Sequence, residues 1–143
     1  MMRIKEIAVY INILNSRIKK YFFDKLQENG INITPEQYLV LDILWEEQSI
    51  PQQKIADIIH KDKNSVTKII DSLEKKNLVN RVVDKNDRRI NKIKLTQEGA
   101  DLEKITTEVA INFMSGAVDG IDVDDLDTFV KVLHQLRNNL EGR

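Results

Sequence analysis

From Arg3 to about Glu28 the apolar side chains fall at Ile4, Ile7, Ala8, Ile11, Leu14, Ile18, Phe22 and Leu26. Steps of three and four predict a long amphipathic helix. Asn29-Gly30 closes it, glycine being suited to a left-handed cap. A helix this long does not bury its stripe on a small domain unaided, so a partner helix, from this chain or another copy, is expected. Thr34, Pro35 and Gln37 then mark a second helix start, with Thr34 as N-cap, Pro35 at the first helical position and Gln37 completing a capping box. The run Tyr38–Trp45 is apolar nearly all round except at Asp42, which predicts a central, buried helix.

Pro51 opens a third, short helix whose inward face is Ile55, Ala56 and Ile59. After the turn at His60-Lys61, Asp62 caps a fourth helix that places Val66, Ile69, Ile70 and Leu73 inward. Asn64, Lys68, Asp71 and Lys75 lie on the opposite side, flanked by Ser65 and Thr67. A short helix, a tight turn and an amphipathic helix with a small-polar and basic outer face make a helix-turn-helix. Asn77 ends it, and the period then changes. Val79–Val83 is β-branched, Ile93 and Leu95 alternate with Lys92 and Lys94, and DKNDRR between them suits a hairpin tip. A helix-turn-helix followed by such a hairpin is a winged helix. Thr96 caps a fifth helix with Leu102, Ile105, Val109, Phe113 and Ala117 in line. Asp122 caps the last, striped by Leu126, Phe129, Val130, Leu133, Leu136 and Leu140. The fold class is therefore mainly α with a small β-hairpin wing.

Charge changes the picture more than composition does. The 41% hydrophobic and 31% charged fractions are ordinary, and net charge is only -1. Residues 50–95, however, hold twelve basic and six acidic side chains, whereas residues 96–143 hold four basic and ten acidic. The middle third is an electropositive block of the kind that steers polyanions. With no cysteine there is no disulfide, thiol nucleophile or thiol redox sensor in this chain. No apolar run approaches the ~18 residues that span a bilayer, and charged and amide residues interrupt the N-terminal apolar positions, so a cytoplasmic protein without membrane contact is expected.

Ile55-Ala56, NSVTKIIDSLEKKNLVNR, DKNDRR and KLTQEG together resemble the MarR family of bacterial transcriptional regulators. The most specific part is Asp87-Arg88-Arg89 followed by Leu95-Thr96-Gln97-Glu98-Gly99, and the resemblance runs over essentially the whole chain. It implies a homodimer: residues 1–33 and 96–143 form a helical dimerisation region, and residues 34–95 a winged helix-turn-helix that binds DNA. The implied function is a sequence-specific regulator, with repression the expected sign, that binds a pseudo-palindromic operator and is released by a small-molecule effector. Glycine is common in the family where this chain has His60 and Asn77; asparagine tolerates the left-handed cap, but His60 is expected to strain its turn. The rival expectation is a winged helix used only for protein interaction, which need not carry the basic middle block.

The first turns of a recognition helix reach base edges in the major groove, which nominates Asn64, Ser65, Thr67 and Lys68. Lys75 and Asp71, spaced i, i+4, are read as a surface pair. The resemblance places Arg89 of the wing in the minor groove beside Arg88, with Asp87 holding an arginine or fixing the loop by a charge-assisted bond. Lys61, Lys63, Arg81, Lys85, Lys92 and Lys94 are expected on phosphates, where they carry no sequence information. Similar proteins bind small anionic, often aromatic effectors between the dimer helices and the winged helix. Tyr10, Arg17, Tyr21, Tyr38 and Trp45 are the residues that could line such a site, and for any single one an ordinary core or interface role is the better reading. The acidic residues Asp119, Asp122, Asp124, Asp125 and Asp127 lack the glycine and closing glutamate of a calcium loop. No metal or other cofactor is expected, and no nucleophile–base pair suggests an enzyme.

Overall fold

The computed structural model describes residues 3–142. The elements run α1 (Ile4–Glu28), α2 (Pro35–Glu47), β1 (Ser49–Pro51), α3 (Gln52–Ile59), α4 (Lys63–Lys75), β2 (Val79–Val83), β3 (Asn91–Leu95), α5 (Gln97–Asp101), α6 (Glu103–Ala117) and α7 (Val123–Glu141). They fall into two compact units, one through Ala110 and one from Ile111 onward.

The first unit is built on α2. Thr34 Oγ1 accepts from Gln37 N at 3.2 Å, and Gln37 Oε1 accepts from Thr34 N at 3.1 Å, closing the expected capping box behind Pro35. Val40, Leu41 and Leu44 are buried on one side of α2, and Trp45 lies against the start of α5. Around α2 pack Phe22 and Leu26 of α1, Ile55 and Ala56 of α3, and Val66, Ile70 and Leu73 of α4, all buried. Gly30 takes φ +70 after α1, as its position demands.

The hairpin gains a third strand. Ser49–Pro51 pairs antiparallel with β3 in the register Ser49↔Lys94, Ile50↔Ile93, Pro51↔Lys92, giving the strand order β1-β3-β2. Three residues, one of them a proline, carry too little period to read as a strand from sequence. Pro51 is tolerated because β1 is an edge, and Gln48, at φ +64, turns the chain out of α2 into it. β2 pairs with β3 from Val79↔Leu95 to Val83↔Asn91, and Ile93 is fully buried at the sheet's centre.

The fifth helix differs from expectation. It is broken at Leu102 into α5 and α6. Gly99 in α5 is held close to the Leu78 carbonyl, where a Cβ would overlap that oxygen. The phase of α6 is set separately: Thr106 and Val109 are buried, and Ile105 is turned out. Half of the α1 stripe stays uncovered: Ile4, Ala8, Ile11 and Leu14 are exposed, Ile7 and Ile18 are half-buried, and Phe22 and Leu26 are buried.

In the second unit Gly120 takes φ +78 after α6, and the Asp122 carboxylate caps α7 by accepting from Asp124 N at 2.8 Å. No residue of α7 is buried. Of its predicted stripe, Leu126 and Leu136 are half-buried, while Phe129, Val130, Leu133 and Leu140 are exposed.

Candidate nucleic-acid interface

The turn that sets α3 against α4 uses His60 in the left-handed conformation, φ 55 and ψ 49. A side chain with a Cβ occupies it at some cost, as the sequence led us to expect. Asp62 then caps α4: its Oδ1 accepts from Ser65 N at 2.8 Å. That bond, to a backbone N–H at a helix start, holds the Asp62 carboxyl below its ordinary range. Ser65 is half-buried at the cap, and Asn64, Thr67 and Lys68 are exposed on the first turns. Asn77, φ 61, ends the element in the expected left-handed cap.

The far end of α4 is stitched to the wing root. Thr96 Oγ1 donates to Asn77 O at 2.7 Å and accepts from Gly99 N at 3.0 Å, and Thr96 N donates to Leu78 O at 3.1 Å. The Trp45 indole N–H donates to Gly99 O at 2.9 Å. A second node holds α4 to α2. Gln37 Nε2 donates to Ser72 Oγ at 2.8 Å, while Lys76 Nζ donates to Gln37 Oε1 and to Asn32 O, both at 2.9 Å. Partial burial pushes the Lys76 amine below its usual range. Gln37 was readable as a cap from its spacing; its second use was not, because Ser72 and Lys76 lie far along the chain.

At the wing tip Asp84 Oδ1 accepts from Asn86 N (2.7 Å) and Asp87 N (3.2 Å), a side-chain turn that shapes the loop. Asp87 braces Arg89: Oδ1 accepts from Arg89 N and Nε, and Oδ2 from Nη2, each at 3.0 Å. The guanidinium holds the Asp87 carboxyl below its ordinary range, and the carboxylate raises that of Arg89. Even so, the Arg89 side chain is 90% exposed. Among the described residues, Lys61, Lys63, Lys68, Lys85 and Arg88 make no ion pair, and Lys92 lies 3.5 Å from Asp84.

Two expectations change. Arg81 is not left facing outward for phosphate; its guanidinium pairs with Asp71 (2.7 Å) and Glu74 (3.0 Å), and its Nε donates to Gln52 Oε1 at 3.3 Å. Asp71 consequently pairs with Arg81 across to the wing, not with Lys75 along the helix. A carboxylate one turn away on a helix surface offers a weak partner; a guanidinium from the neighbouring strand offers a better one.

Lys63, Val66 and Thr67 of α4 line one cleft of about 540 Å³ with Arg89, Ile90 and Asn91 of the wing and the start of α3. Helix α4 and the wing arginine therefore share a face. The effector candidates do not gather in this way. Trp45 and Tyr38 sit in a ladder of edge-on rings, Phe22–Tyr38 at 5.1 Å and Tyr38–Trp45 at 6.1 Å, with Trp45 buried. Tyr10, Arg17 and Tyr21 lie exposed on α1, Tyr21 with the Lys20 ammonium 5.7 Å from its ring centre.

Residues 33–90 match the family model described as the MarR family. An uncharacterized HTH-type transcriptional regulator, YhbI of Bacillus subtilis (strain 168), is 34% identical over 112 residues, covering 78% of this chain and 72% of the relative. The chain belongs to the MarR family of transcriptional regulators. Another Bacillus subtilis regulator of this kind, YybA, is 23% identical over 96% of this chain and 88% of its own length. In architecture this MarR-family chain is similar to a point variant of MarR from E. coli complexed with operator DNA (TM-score 0.84, 20% identity, 92% of this chain and 93% of that one). It is also similar to the organohalide-sensing regulator RdhR in its 2,4-dichlorophenol-bound form (TM-score 0.87, 20% identity, 97% and 82%). Among the described residues no helix is long and apolar enough to cross a membrane.

Proposed function

We propose that this MarR-family regulator represses transcription by binding a pseudo-palindromic operator as a homodimer. Helix α4 enters the major groove with Asn64, Ser65, Thr67 and Lys68 toward base edges. The wing places Arg89 in the adjacent minor groove with Arg88 beside it. Lys61, Lys63, Lys85 and Lys92 neutralise phosphates. The observation that carries this reading is the shared cleft, where Lys63 and Thr67 of the helix face the same space as the braced Arg89 of the wing. The protein of similar fold bound to operator DNA supports it. Residues 34–95 form the reading module; the uncovered apolar faces of α1 and of α7 supply the surface that a second copy covers.

Release by a small aromatic effector completes the proposal, by analogy with the dichlorophenol-bound RdhR. Such a ligand acts only through different affinities for two dimer states. Of the five candidates, Tyr10, Arg17 and Tyr21 remain open to solvent on α1, whereas Tyr38 and Trp45 are occupied in packing.

The test is selection of bound sites from random duplexes, followed by anisotropy titration across a range of salt concentrations. Half-sites about 10 bp apart and a steep fall of affinity with salt are expected. Binding that ignores both sequence and salt, or a footprint on one unrepeated half-site, would sink the reading.

A further inference from the structure

Thr67 is held in a hydrogen-bond relay that begins at an arginine in the wing. Arg81 on β2 donates from Nη2 to Asp71 and from Nη1 to Glu74, and its backbone N–H donates to the other Glu74 oxygen at 3.2 Å. Its Nη2 also reaches Thr67 O at 3.4 Å. Its Nε–H points at the amide of Gln52, the first residue of α3, at 3.3 Å. The other end of that amide lies 3.2 Å from Thr67 Oγ1.

This geometry fixes the orientation of the Gln52 amide. A guanidinium donates and never accepts. The Gln52 atom facing Arg81 must therefore be the carbonyl oxygen, because an NH2 there would set donor against donor. The Gln52 NH2 is then turned to Thr67, so Thr67 Oγ1 accepts. Its own hydroxyl proton has no acceptor among the described residues. The side chain is exposed on the first turns of α4 and lines the cleft shared with Arg89.

We infer that Gln52, oriented by Arg81, is a specificity-determining residue that biases Thr67 toward donating a hydrogen bond to the DNA base it meets. A hydroxyl can ordinarily turn to donate or to accept, and so discriminates weakly. Here the Gln52 amide occupies one lone pair, which leaves the proton and a single lone pair and tilts the hydroxyl toward donating. Thr67 then favours a base edge offering an acceptor in the major groove, such as guanine O6 or N7, adenine N7 or thymine O4, over the amine of cytosine. Gln52 exerts this selection through Thr67 and needs no contact with DNA. The inference rests on the proposed reading of α4 as the major-groove helix.

The experiment reverses the relay with a near-isosteric change. In Gln52→Glu the carboxylate accepts from Arg81 Nε and also from the Thr67 hydroxyl, leaving Thr67 only lone pairs to present. Wild type and Gln52→Glu, checked for equal folding by circular dichroism, are titrated against the selected operator with every base substituted at each half-site position. One base pair per half-site is expected to change preference, from acceptor-bearing to amine-bearing, by about three- to tenfold in relative affinity. The added charge weakens all duplexes by a common factor and is read separately. In a Thr67→Val background the same Gln52→Glu change should leave that preference unmoved. A uniform loss with unchanged preferences, or a shift that persists without the Thr67 hydroxyl, overturns the inference while operator binding stands. Wild-type protein that binds selected and random duplexes alike overturns the reading beneath it, and the inference with it.

Discussion

Gly99→Ala measures the closeness of the joint between α5 and the root of the wing. Three effects compete. Alanine in a helix is favoured over glycine by about 1 kcal/mol. Against this, the new Cβ would overlap the Leu78 carbonyl oxygen and stand 3.0 Å from Leu95 Cδ2 and 3.1 Å from Leu78 C. Two of these three atoms are backbone and cannot rotate away, so relief requires α5 to move, an overpacking cost of about 1–3 kcal/mol. Moving α5 also draws Gly99 O away from the Trp45 indole N–H, now 2.9 Å distant and buried. An unsatisfied buried donor costs about 1–3 kcal/mol. The net expectation is a loss of about 1–5 kcal/mol, set by the sum of the two penalties less the propensity gain. Trp45 is the sole tryptophan, so its fluorescence follows urea unfolding at the joint itself, at fixed protein concentration because a dimer's midpoint depends on it. A lower midpoint with an unchanged slope is expected. A variant as stable as the wild type, or more stable by the propensity term, would refute the close approach.

Arg89→Ala should weaken operator binding about five- to a hundredfold and shallow its salt dependence; unchanged affinity and slope would remove the wing from the mechanism. Thr34→Ala opens the capping box of α2 and should cost about 0.5–2 kcal/mol in chemical denaturation. His60→Gly relieves the left-handed turn between α3 and α4 and should stabilise by about 0.5–1 kcal/mol, an unchanged or lower midpoint counting against strain there. Asp62, Asp84 and Asp87 have carboxyls held below their ordinary range. Their contribution is therefore complete above the ordinary aspartate value and is lost as pH falls through the lower folded values. Amide exchange at Ser65, Asn86 and Arg89 should stay protected through mildly acidic pH and rise only below about pH 4; loss of protection near neutrality would contradict the sign. Sedimentation should show a dimer, and Val130→Asp with Leu133→Asp on the exposed face of α7 should shift it toward monomer.

Local signals in the sequence were sufficient wherever the physics is local. Thr34 with Gln37, Asp62 ahead of Ser65, Gly30 and Asn77 each act within a few residues, and the structure places each in its expected part. The strand Val79–Val83 and the bracing of an arginine by Asp87 were legible for the same reason: a β-branched run and a carboxylate beside two arginines each lie within one short stretch. Tertiary structure decided what depends on residues brought from afar. Arg81 looks in the sequence like one more cation of a basic block, and only the approach of β2 to α4 gives it to Asp71 and Glu74. Gln52 carries no motif at all; its orientation follows from the meeting of α3, α4 and the wing. Helix periodicity put Ile105 in line with Val109, but the helix breaks at Leu102, after Gly99 has packed on Leu78, and in α6 Val109 is buried while Ile105 is exposed. A repeating pattern reports which face of an element is apolar. Which neighbour meets that face, and which charge meets which, is settled when separate elements pack together.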